Sequence, residues 1–106
     1  MKLPTQRSLE KLRRDGYVPW VVETYAFGRR HDLYGFIDIV AIKPRIPGVL
    51  GIQCTSTSNV SARIKKIRNL PEYQLWLENG NHIQVWGWAK DKKTRVYVLT
   101  VKEIVD

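Results

Sequence analysis

Asp38 is the only charged residue in Phe36-Ile37-Asp38-Ile39-Val40-Ala41-Ile42, a run whose other members are all apolar. Burying an unpaired carboxylate costs several kcal/mol or raises its pKa until the group is neutral. A cation, a buried basic partner or water in a cleft must therefore stabilise it. Fifteen residues later, Val49-Leu50-Gly51-Ile52-Gln53-Cys54-Thr55 repeats the arrangement, with Gln53 and Thr55 on one strand face. Glu23, within Trp20-Val21-Val22-Glu23-Thr24-Tyr25, is another acid among apolar neighbours. It either joins Asp38 at a shared site or faces water from an edge strand. Carboxylate and amide oxygens brought together suit a hard divalent cation, and such a cation suits hydrolysis of phosphate esters.

Other polar residues have simpler readings. Asp32 enters the second apolar strand, where an Asx-type turn or a pair with Arg29 or Arg30 is favoured over metal binding. Glu10 is spaced i, i+4 from Arg14, which predicts an exposed ion pair. His31 and His82 lack zinc-ligand spacing with Cys54. A lone Cys in an apolar strand is usually just buried. Trp86 and Trp88 share one strand face with Gln84 and are expected to pack against the preceding helix of Tyr73, Trp76 and Leu77 rather than to stack on bases.

The positioning elements follow from pattern. Thr5 is expected to cap a helix through about Asp15, with Leu9 and Leu12 inward and Gly16 at its end. Tyr17–Tyr25 is β-rich, and Ala26–Gly35 reads as a polar, Arg-rich connection. Phe36–Lys43 and Val49–Ser56 predict a hairpin joined by Pro44-Arg45-Ile46-Pro47-Gly48. Ser58 or Asn59 then caps a helix with the stripe Val60, Ile64, Ile67. Pro71 opens a short helix ending at Gly80, His82–Ala89 alternates as a strand, and Asp91-Lys92-Lys93-Thr94 turns into Arg95–Val105. The predicted order over residues 1–106, one domain, is α-β-β-β-α-α-β-β: an α/β, α+β-like class with a central mixed sheet flanked by helices.

Charge narrows the partners. Lys and Arg number 18 against 10 acids, a formal net charge of +8. Arg63, Lys65, Lys66 and Arg68 form one basic cluster, Lys11, Arg13, Arg14, Arg29 and Arg30 a second, and Lys90, Lys92, Lys93 and Arg95 a third. Nucleic acid is favoured over an anionic membrane, because no helix pairs a basic face with a broad apolar one. No apolar run approaches a membrane span, the first residues lack a signal-peptide core, and the single Cys54 implies a reducing, cytoplasmic compartment.

In its element order and in the placement of Asp38, the chain resembles the PD-(D/E)XK nuclease superfamily, and within it small phage-type or Holliday-junction-resolvase-like nucleases. Ile37-Asp38 matches the second-strand acid, and Gln53-Cys54-Thr55 stands where that family has its acid-x-Lys triplet. The resemblance implies a restriction-endonuclease-like core and a Mg²⁺- or Mn²⁺-dependent nuclease acting on DNA, branched DNA included, as a homodimer. By the same resemblance Asp38, Glu23, Gln53 and the main-chain carbonyl of Cys54 hold the metal. Asp38, Gln53, Thr55 and Glu23 form the catalytic set, and Arg29, Arg30, Arg63, Lys65, Lys66 and Arg68 contact nucleic acid. Thr55 lacks the lysine ammonium, and Lys43, Arg63, Lys65 or Lys66 is expected to supply the relocated cation. Two alternatives stand beside this: a nuclease-fold DNA-binding module without catalysis, and a phage-encoded protein that binds a host factor.

Overall fold

A computed structural model describes residues 2–105. Helix α1 (Pro4–Arg14) precedes β1 (Val18–Val21), β2 (Thr24–Ala26), β3 (Arg29–His31), β4 (Ile39–Lys43) and β5 (Ile46–Ser56). A 3₁₀ turn (Thr57–Asn59), α2 (Val60–Arg68), α3 (Glu72–Glu78), β6 (His82–Lys90) and β7 (Tyr97–Ile104) complete the chain. Five strands form one mixed sheet in the order β1-β4-β5-β6-β7, and β2 pairs only with β3. β5 and β6 are parallel, joined across α2 and α3, while the other pairs are antiparallel. The class is therefore α+β. Among the described residues, no helix is long and apolar enough to cross a membrane.

Strand alternation divides the core between the two sheet faces. Leu50, Ile52 and Cys54 of β5 join Ile39, Ala41 and Trp86 under Leu9 and Leu12 of α1. On the opposite face, Val60, Ile64 and Ile67 of α2 and Tyr73, Trp76 and Leu77 of α3 cover Phe36, Ile37, Ile83 and Val85. Gln53 and Thr55 belong to this second face and are buried. Gly87 lies under the 3₁₀ turn, where an added Cβ would stand 2.9 Å from Thr57 Cα. A bare α-carbon is what lets the end of β5 turn so closely over the sheet.

Several boundaries differ from expectation. Pro4, not Thr5, opens α1: its fixed φ and missing N–H suit the first helical position, and Gln6 Oε1 accepts the Leu3 N–H at 3.2 Å. The expected Tyr17–Tyr25 strand breaks after Val21 into β1 and β2, and the expected Arg-rich loop contains β3, which pairs back on β2 as a hairpin. The turn between β4 and β5 contracts to Pro44-Arg45, with Lys43 opposite Ile46, so β5 begins three residues before Val49. Pro44 presets the first turn position and Arg45 takes φ 70° at the second, which a type II turn requires. Pro71 precedes α3 as its cap residue, and no side chain caps α2. Trp86 packs under α1 and Trp88 Nε1 donates to Ser8 Oγ at 2.9 Å, so the tryptophan pair faces away from α3.

Candidate metal centre

Two tight turns build the site. Phe27 (φ 52°) and Gly28 (φ 72°) both have positive φ, the pattern of a type I′ turn. That turn closes the β2–β3 hairpin with Thr24 opposite His31, and this places Glu23 and Asp32 side by side at its base. Tyr34 (φ 54°) and Gly35 (φ 80°) make a second such turn, closed by reciprocal bonds between the backbones of Leu33 and Ile37 at 2.9 and 3.0 Å. The second turn returns the chain so that Asp38 comes beside Asp32. Glu23, Asp32 and Asp38 therefore converge, with one oxygen from each lying within 4.8 Å of the others.

Asp38 is the anchored member. Expected mid-strand, it stands instead at the foot of β4, which begins at Ile39. Its N–H donates to Ile52 O at 2.8 Å, and its carbonyl accepts from Val22 N (2.9 Å) and Glu23 N (3.3 Å). The Asp38 backbone thus ties the β1–β2 junction to β5. Its carboxylate Oδ2 accepts from Gln53 Nε2 and from the Cys54 N–H, each at 2.8 Å. Gln53 Nε2 also reaches Asp32 Oδ2 at 3.4 Å. The main-chain group that Cys54 presents to Asp38 is its amide rather than the carbonyl implied by the family resemblance. Its side chain turns to the α1 face and contacts Ser8 Oγ at 3.4 Å, and burial pushes the thiol up to about 12.

Each converging group keeps an unused acceptor. Glu23 Oε2, Asp32 Oδ1, Asp38 Oδ1 and Gln53 Oε1 are buried without a hydrogen-bond partner. Buried polar atoms are ordinarily satisfied, so three orphaned carboxylate oxygens at one point need an account. Hard oxygen donors with residual negative charge fit a divalent cation such as Mg²⁺. Glu23, Asp32 and Asp38 are the residues that could hold it, while Gln53 turns its Nε2 to Asp38 rather than an oxygen.

Arg30 is the cation at the site. Its Nε lies 3.4 Å from both Glu23 Oε2 and Asp32 Oδ1, and a terminal nitrogen lies 3.8 Å from Asp38 Oδ1. These are ion-pair separations without hydrogen-bond geometry, so the carboxylates remain electrostatically compensated but unsaturated. Partial burial lowers the pKa of Arg30, but Asp38, Asp32 and Glu23 together outweigh it and hold the group above its ordinary value.

The Asp38 carboxyl is pushed up to about 7, first by burial and next by the neighbouring Asp32, against the opposing bond from Cys54 N–H. A raised carboxyl pKa means that the folded chain retains a proton that the unfolded chain releases. Stability conferred by that proton is complete below the ordinary value of 3.8 and declines as pH rises through about 7. Where the two states differ by one full proton, the loss is about 1.4 kcal/mol per pH unit. Melting temperature without metal should fall between pH 4 and 7, and Mg²⁺ should oppose the fall; a flat profile would show that Asp38 is ionised throughout.

Of the residues singled out by sequence, Asp38, Glu23, Gln53 and the Cys54 amide meet here, and Arg30 joins them. Thr55 is buried on the same strand face but takes no part in the carboxylate network. Glu10 pairs with Lys2 at 2.8 Å rather than with Arg14. Arg63, Lys65, Lys66 and Arg68 lie along α2, and Arg68 donates to Val105 O at 3.4 Å. Arg29 is exposed on the hairpin, and Lys43 lies over the Tyr17 ring, 5.0 Å from its centroid. None of these cations replaces Arg30 at the carboxylates. Asp32 was read as a turn or ion-pair residue; it does pair with Arg30, and it is also the third carboxylate. The sequence signal for this trio is two Xaa-Gly dipeptides, Phe27-Gly28 and Tyr34-Gly35, each near the midpoint between two acids. Comparison of the chain with protein-family models, with curated proteins and with solved structures gives no match.

Proposed function

We propose that this protein is a metal-dependent nuclease that hydrolyses phosphodiester bonds in DNA, on a PD-(D/E)XK-like core whose third-strand triplet has become Gln53-Cys54-Thr55. The observation that carries the reading is the set of three orphaned carboxylate oxygens on Glu23, Asp32 and Asp38, gathered under one arginine in a strongly basic chain. A structural ion-pair cluster would leave fewer acceptors free. The order of α1, an antiparallel β4–β5 pair, a helical crossover and the parallel strand β6 supports the restriction-endonuclease-like reading.

Glu23, Asp32 and Asp38 would hold Mg²⁺ or Mn²⁺, which when bound supplies Lewis-acid activation of water and shielding of phosphate charge. Gln53 orients Asp38 through its 2.8 Å bond. Arg30 takes the role of the absent triplet lysine. Its guanidinium is permanently charged and can bind a phosphate oxygen in a forked geometry, which neutralises charge developing on the scissile group. Arg63, Lys65 and Lys66 on α2 supply sequence-independent attraction to the backbone. This leaves Thr55 without a chemical role.

The reading is tested with labelled duplex, single-stranded and four-way-junction DNA in Mg²⁺ or Mn²⁺. Cutting is expected with either ion, and EDTA should stop it. A second reading, a binding module that has lost catalysis, is favoured by the Gln53 and Cys54 bonds that already engage Asp38 Oδ2. Salt-sensitive binding without cutting in either ion would replace the nuclease with that module.

A further inference from the structure

The β2–β3 hairpin does little for the core. All six residues of its two strands are exposed, and neither strand joins the five-stranded sheet. A two-stranded hairpin is marginal in water without packing against other elements. At its tip, Phe27 is 100% exposed, and Tyr25 on the first strand is 76% exposed. Between Thr24 and His31 there are two arginines and no acid. Antiparallel register sets Tyr25 opposite Arg30, so the two share a face, and Arg30 turns that face toward the carboxylates.

We infer that this hairpin is the element with which the protein reads unpaired bases in DNA, with Phe27 and Tyr25 as the stacking groups. The inference rests on the nuclease reading for its choice of ligand and names the substrate feature that the site selects. Aromatic rings stack on any exposed base face, and adjacent arginines attract the neighbouring phosphates. Paired bases inside a duplex offer no free face without unstacking, so the contact discriminates in favour of bulges, single strands and branch points. Arg30 is already paired with the carboxylates, so the charge match on the hairpin itself comes from Arg29, which an apolar partner would leave uncompensated. The hairpin also begins immediately after Glu23 and ends immediately before Asp32. A base held at Tyr25, which shares a face with Arg30, is near the candidate metal, with Phe27 holding the next unpaired base farther out at the tip.

The test needs no cleavage. Binding is followed in EDTA by anisotropy for a labelled duplex and for the same duplex with a three-nucleotide bulge, and by the emission of 2-aminopurine placed in the bulge. The parent should prefer the bulged duplex by about fivefold to a hundredfold, the range that base–aromatic stacking supports, and should quench the 2-aminopurine. Phe27→Ala together with Tyr25→Ala should bind both DNAs alike without quenching, while Phe27→Trp keeps the preference. Arg63→Ala should weaken both complexes equally. Both aromatic sites are exposed, and circular dichroism confirms that the variants fold. An unchanged preference in the double alanine variant would overturn the inference, as would a change in its sedimentation mass, which would assign the hairpin tip to a second copy of the chain. Bulge preference without metal-dependent cutting would uphold the hairpin reading and remove the nuclease. Cutting without bulge preference would do the reverse.

Discussion

Asp38→Asn should give a protein that melts higher than the parent without metal, gains nothing from Mg²⁺ and does not cut DNA. The asparagine retains an acceptor oxygen for Gln53 Nε2 and the Cys54 N–H, which both bond Asp38 Oδ2 at 2.8 Å. It sets an amide where Oδ1 stood, a donor toward the unsatisfied oxygens of Glu23 and Asp32. One buried negative charge disappears, and with it the pressure that raises the Asp38 pKa to about 7. Relief of about 1 kcal/mol would appear as a rise of roughly 4–8 °C in a domain of this size. Loss of the anchoring ligand should lower cutting at least about 10³-fold, as loss of a principal electrostatic stabiliser does in other active sites. The pairing of gained stability with lost function is what separates a ligand from a structural carboxylate. A lower melting point in EDTA would assign Asp38 to the fold, held by Arg30, and remove it from the metal.

Gln53→Glu should be severe, although it restores the acid that the nuclease resemblance leads one to expect at this position. Gln53 is fully buried and donates to Asp38 and Asp32. Glutamate removes both donated bonds and puts a fourth carboxylate at contact distance from Asp38. Among the described residues only Arg30 pairs with the group, and leaving a buried charge uncompensated costs about 3–5 kcal/mol. At pH 8 in EDTA the melting point should fall by more than about 10 °C. The deficit should shrink at pH 5, where the new pair can share a proton, and in Mg²⁺, whose charge compensates the extra acid. Equal melting points at pH 8 would mean that water reaches the Gln53 side chain and that the neutral amide is not required by its surroundings.

The acids and the elements that hold them were legible to different degrees. Asp38 and Gln53 stand out in the sequence because each interrupts an apolar run, and the stripe of Val60, Ile64 and Ile67 is the face that α2 buries. β2 was legible only as the end of the β-rich Tyr17–Tyr25 segment, and β3 not at all, because the hairpin residues are exposed on both faces and carry no alternation to betray a strand. Its turn at Phe27-Gly28 lacks the Asn or Asp that usually marks a type I′ hairpin. The same blindness hid the roles of Arg30 and Asp32. Each is polar within a polar stretch, and only the pairing of Thr24 with His31 brings them back to Glu23. The break after Val21 follows from the Asp38 carbonyl, which takes the N–H groups of Val22 and Glu23 and turns the chain away from β4. That is a tertiary contact with no local signature. Trp86 and Trp88 illustrate a further limit: alternation establishes that they share a face, but which helix covers it depends on the crossover.

The base of that hairpin has a consequence for how such a protein can change. Thr24 and His31 are the first pair beyond Glu23 and Asp32, so the two carboxylates are set side by side by the first rung of a ladder and not by its length. Everything from Tyr25 to Arg29 can be exchanged, shortened or extended by whole pairs while the acids keep their positions, provided an arginine remains two residues before Asp32. Selection for a new target could thus act on one loop while the machinery beneath it stays in register. The arrangement separates the inheritance of chemistry from the inheritance of taste.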